Sequence, residues 1–145
     1  MSEENYTKRE KVIRSHHSPE DIHKHFMFDD IRRWKQEIEL VNVEMIFFRN
    51  LIESHRRETN SWSSSDYQNL FNSIKDVEHY NQTCQRNLQA FNAKVVGLNE
   101  CIDLQCEHHY LNDHSQLRLQ LERHFSTYKS FKKTILSYLK TRYNY

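Results

Sequence analysis

A single glycine, Gly97, and a single proline, Pro19, serve a chain of 145 residues. Sheets and irregular loops use both types repeatedly, glycine where the backbone turns left-handed and proline where it is already bent. A chain this poor in both has few places to reverse direction. Its length must go into a small number of long helices, and that length suits one domain.

The apolar pattern agrees and divides the helices. Ser18 is placed to cap the first, Pro19 fits the first helical position, and Glu20 and Asp21 sit where unpaired N–H groups and the positive end of the dipole favour acids. From there Met27, Ile31, Trp34, Ile38, Val41, Met45, Phe48, Ile52 and His55 recur at alternating steps of four and three, which keep one face toward a partner. Phe47 and Leu51 widen that face, and the polar run "RRETNSWSSS" ends it.

A second stripe restarts where Ser65 and Gln68 have capping-box spacing. It runs through Tyr67, Leu70, Ile74, Val77, Asn81, Cys84, Leu88, Phe91, Val95, Leu98 and Ile102. Asn81 is its one polar interruption, either fixing register through an internal hydrogen bond or facing a gap in the packing. Gly97 falls within the same helix and predicts a kink or a close helix contact. The second turn is placed at "LNDHS", with Asn112 ending one helix and Asp113 and Gln116 spaced to cap the next. Helix three then presents Leu117, Leu121, His124, Tyr128, Phe131, Ile135 and Tyr138, with Phe125 and Leu139 on its flank.

These spacings predict an all-α fold, an elongated antiparallel up-down-up three-helix bundle with coiled-coil-like packing. The helices fall at about 19–57, 66–110 and 114–142, inside a single domain at 18–145 that follows a flexible N-terminal arm at 1–17. Trp34 with Glu37 and Ile38, Glu44 with Phe48 and Leu51, "VEHYNQ" at 77–82, and "NDHSQLR" followed by Phe125, Tyr128, Leu136 and Leu139 resemble a family of small uncharacterised all-helical proteins from Bacteroidota. The likeness covers residues 28–140. It implies a long helical bundle and carries no activity with it.

Ten histidines raise the question of a metal. With the second turn at 112, His23 and His124 come level with Glu100 and Asp103, a donor set suited to zinc or iron. His79 comes level with Glu44, and His109 and His114 bracket the second turn. Di-iron bundles need Glu-x-x-His pairs on facing helices, whereas "EDIH" at 20–23 and "DVEH" at 76–79 lie far apart in this register. The plainer reading pairs His124 with a core hydrogen bond and Glu44 with His79, and needs no cofactor.

Catalytic signatures are missing from the sequence: no glycine-rich phosphate loop, no serine elbow and no paired-cysteine redox motif. Cys84 sits on a core stripe. Cys101 and Cys106, five apart on one helix, are turned away from each other and are expected to stay reduced, as in a cytoplasmic protein. No stretch approaches the length of a membrane-spanning helix.

Charge and surface leave two binding readings. Arg56, Arg57, Lys129, Lys132, Lys133, Lys140 and Arg142 gather at one end of the bundle and would allow weak nucleic-acid binding, although a net charge of +1 supplies no general field. The favoured reading is a non-catalytic protein-interaction or structural module, a homo-oligomer or protein partner, using Phe47, Leu51 and Phe125 where the apolar faces exceed a minimal seam.

Overall fold

A computed structural model describes residues 19–59 and 64–143, and every described element is helical. Helix α1 spans Pro19–Thr59, α2 spans Ser64–Val95, a 3-10 segment covers Val96–Glu100, and α3 spans Leu104–Tyr143. The Ser18 cap, the arm at 1–17 and residues 60–63 of the expected first connection lie outside the described residues, while the ends of that run are helical, α1 continuing to Thr59 and α2 starting at Ser64. By packing, the chain divides into two compact units, Met1–Arg33 and Trp34–Tyr145. In the first, Asp29 pairs with His25 and Arg32, and Asp30 with Arg33, all at intrahelical steps of three or four. Such exposed pairs contribute a few tenths of a kcal/mol each. Met27 and Ile31 are buried there.

The second unit is a three-helix bundle. All the expected stripe residues of α1 from Trp34 to His55 are buried. Val41, Met45, Phe48 and Ile52 of α1 share one core with Tyr67 and Ile74 of α2 and with Tyr128, Ile135 and Leu139 of α3. Late α1, early α2 and late α3 therefore meet at one end, as antiparallel neighbours require. Helix α2 starts at Ser64, ahead of the Ser65–Gln68 spacing, and Gln68 donates from Nε2 to Asn72 Oδ1.

The second reversal is not where the spacing put it. Helix α2 stops at Val95, and the chain turns through 96–103 rather than at Asn112. Cys101 is extended, with φ −65° and ψ 127° and its N–H on the Leu98 carbonyl. Asp103 then caps α3, its Oδ1 accepting from the Cys106 N–H at 2.8 Å. Asp113, expected to cap, pairs with Lys94 across the helices.

Two contacts explain the earlier turn. A Cβ on Gly97 would lie 2.6 Å from the Tyr110 hydroxyl, so the bare backbone admits that ring against the turn. Cys101 and Cys106 form a disulfide with a Cα–Cα distance of 5.6 Å, which corrects the expectation that they stay reduced and unpaired. In an unbroken helix residues five apart have Cα atoms about 8.6 Å apart, beyond the roughly 7 Å that a disulfide can bridge. The bond and an unbroken helix therefore exclude each other. Ile102, the last residue of the expected α2 stripe, is consequently 99% exposed.

Candidate interaction surface

On α1, positions 38, 41, 45, 48 and 52 form the core face, so position 43 points almost directly away from it at about 100° per residue. That outward side should be polar. It carries Leu40, Val43, Ile46 and Phe47, which remain 57%, 63%, 43% and 60% exposed. Phe47 is braced edge-on against the buried Phe48 ring, with centroids 5.8 Å apart and planes at 60°. Together these side chains expose on the order of a few hundred Å² of apolar surface, the range in which a patch on a monomer is often functional. Gln36 and Asn50 lie one heptad either side of Val43 and bound the patch with amides.

Of the surface expected from sequence, Phe47 alone belongs to this patch. Leu51 and Phe125 are half-buried against the core and help to close it. Leu40, Val43 and Ile46 were missed because the core stripe absorbed the apolar count of α1. Their own spacing of three, three and one, offset by half a turn from that stripe, was the signal.

Behind the patch, one polar layer ties the three helices together. Asn81 of α2 donates from Nδ2 to the Ile38 carbonyl of α1 at 3.2 Å, and its Oδ1 lies 2.8 Å from His124 Nε2 of α3. Because that oxygen can only accept, His124 Nε2 carries the proton. Burial lowers the His124 pKa from its ordinary value and keeps the imidazole neutral. Tyr80 meets the His124 ring edge-on at 5.1 Å. Asn81 thus fixes register through an internal hydrogen bond, the first of the two readings its position allowed.

The remaining candidate ligands among the described residues do not converge. His124 lies opposite Asn81 rather than Glu100, because moving the turn from 112 to near 100 slides α3 along α2. Glu100 is exposed in the 3-10 segment and Asp103 is engaged as a cap. The side chain of His23 lies outside the described residues. His79 is exposed, as expected for a residue two positions from Asn81 and so about 200° round the helix. Glu44, expected beside it, pairs instead with Lys132 and lies against Tyr128. His109 reaches Asp113 at 3.6 Å on its own helix. His114 is buried with its ring 5.4 Å from Trp34 and 6.0 Å from Phe91. Among the described residues, no three His, Cys, Asp or Glu side chains form a group that could hold a metal ion.

The basic end is partly spent on the fold. Lys132 is committed to Glu44, and the Arg56 guanidinium stacks 3.9 Å above the Tyr67 ring. Arg57, Lys129, Lys133 and Lys140 are exposed, the three lysines on one stripe of α3 that also carries Leu136. The Arg142 side chain lies outside the described residues.

A shallow cleft of about 290 Å³ between α2 and α3 is lined by Asn87, Phe91, Asp113, Gln116, Leu117 and Gln120, among others. Its lining pairs no nucleophile with a base, and Asn87 and Gln120 are hydrogen-bonded to each other at 3.1 Å. No described helix is long and apolar enough to cross a membrane. Comparison of the chain with protein-family models, with curated proteins and with solved structures finds no match.

Proposed function

We propose that this chain is a non-catalytic interaction module that pairs with a second copy of itself through the outer face of α1. The observation that carries the reading is the placement of Leu40, Val43, Ile46 and Phe47 on the side of the helix farthest from its own core. Internal packing cannot account for four large apolar side chains there.

A second copy suits the face because the face is nearly self-complementary. In an antiparallel pairing about a two-fold axis at Val43, Leu40 meets Ile46 of the other copy, Val43 meets its own counterpart, and Gln36 meets Asn50, amide to amide. A net charge of +1 sets up little repulsion between copies. The area is small: both faces together bury on the order of 1,000 Å², the low end for a specific interface. The dimer is expected to dissociate on dilution.

Sedimentation velocity over a concentration series tests this. The wild-type chain is expected to self-associate, and Val43→Glu or Phe47→Glu to be monomeric with an unchanged far-UV circular dichroism spectrum. Monomeric wild-type protein at high concentration overturns the reading. Loss of helicity in the glutamate variants would assign those residues to internal packing instead. A cytoplasmic setting belongs to the same proposal, and there the Cys101–Cys106 bond would be a reversible one, since thiol reductants keep most cytoplasmic cysteines reduced.

A further inference from the structure

The α2–α3 reversal holds chemistry that the α1 surface does not use. The Cys101–Cys106 bond closes a ring containing only Ile102, Asp103, Leu104 and Gln105. Both cysteines are half-buried rather than sealed in the core, and Ile102, Asp103, Leu104 and Gln105 are all exposed. A small thiol therefore has a path to the sulfurs.

We infer that Cys101 and Cys106 are a reversible dithiol–disulfide site, exchanged by glutathione-class thiols or a small dithiol, whose oxidation state sets the order of the α2–α3 turn without deciding whether the bundle is folded.

Three observations support this. The two helices are joined on the bundle side of the turn by contacts that owe nothing to the bond: Lys94 with Asp113, Asn87 with Gln120, and buried Val95, Leu98 and Leu117. Chain entropy adds less than it would across a long loop, because a short ring constrains the unfolded chain least. Second, the bond and a helical path exclude each other at this spacing, whereas Val95, Leu98 and Ile102 have helical apolar spacing. The disulfide therefore fixes residues 101–103 in one non-helical path, and reduction lets them move between the turn and the helical path. Third, exchange is confined to this pair, since Cys84 is fully buried and its burial pushes the thiol up to about 11.

The exchange balances. A reductant thiolate attacks one sulfur, the Sγ–Sγ bond breaks, and the displaced cysteine leaves as a thiolate that takes up a proton. The second thiol of the dithiol, or a second glutathione, then displaces the other cysteine, so that the reductant becomes a disulfide and two electrons and two protons pass to the chain. Oxidised glutathione reverses these steps.

The test uses the full chain without denaturant: dithiothreitol, then iodoacetamide, read by peptide mass spectrometry. No adducts are expected before reduction, and adducts at Cys101 and Cys106 but not Cys84 afterwards, with the helical circular dichroism spectrum kept. Oxidised glutathione should restore the bond, and amide exchange over 96–104 should be several-fold faster in the reduced form. A Cys101→Ser/Cys106→Ser variant should fold and exchange like the reduced protein. The inference is overturned by failure to label under native reduction, by failure to reoxidise, or by equal exchange in both states. Labelling of Cys84 together with the pair also overturns it, because the bond would then be holding the fold.

Discussion

Replacing Asn81 and His124, singly and together, by leucine isolates the polar layer. Asn81→Leu leaves the His124 Nε2–H buried and without an acceptor, which costs about 1–3 kcal/mol. His124→Leu leaves Asn81 Oδ1 unmet at a similar cost of about 1–3 kcal/mol. In the double variant both orphaned groups are gone, and the Ile38 carbonyl still serves the α1 ladder. The double variant should therefore lie close to wild type, with a coupling of about 2 kcal/mol or more between the two sites. Urea unfolding followed by far-UV circular dichroism measures all four proteins. Additive losses, with coupling below about 0.5 kcal/mol, would refute the hydrogen-bonded layer. The same set carries a pH signature. The folded-state pKa of His124 lies below its ordinary 6.5, so below that pH the unfolded chain takes up a proton that the folded chain resists. Stability contributed by the neutral imidazole is complete above pH 6.5 and is lost as pH falls from there through the folded pKa. Wild type, which the double variant matches above pH 6.5, should become the less stable of the two over that interval, and a constant difference would contradict the burial argument.

Three further outcomes follow from single contacts. Gly97→Ala places a Cβ on the Tyr110 hydroxyl; the cost should be about 1 kcal/mol or less, because a ring tip can shift, and Tyr110→Phe should relieve it in the same unfolding assay. Tyr128→Phe should be neutral or stabilising by up to about 1 kcal/mol, since its hydroxyl is buried without a well-formed hydrogen bond. Burial first, and then the Glu44 carboxylate, push the Tyr128 phenol far above its ordinary value, so an ultraviolet titration of native protein should lose no ionising tyrosine in that variant. Cys84, buried with its thiol near 11, should react with alkylating reagents only as fast as the core opens; rapid labelling of native protein would contradict its place in the core.

The lone glycine and the recurring steps of three and four determined the helical class, the core face of each helix and the antiparallel order. These are properties of a helix by itself, whose side chains face a direction set by their spacing. That is why Trp34, Met45, Ile74, Leu121 and Ile135 were legible as core, and why Asn81 stood out as a polar member of it. Tertiary structure decided where the second reversal falls. The apolar period continues through Val95, Leu98 and Ile102, so local pattern favours an unbroken helix there, and only the accommodation of Tyr110 against Gly97, the Lys94–Asp113 pair and the Cys101–Cys106 bond stop it at Val95. Register between helices follows from the turn, so a turn misplaced along the chain put Asn81 beside His124 where Glu100 was expected. The outer patch of α1 was a matter of tertiary structure too: spacing says which residues share a face, but whether Leu40, Val43 and Phe47 are covered depends on how many helices surround α1, and two leave that side bare.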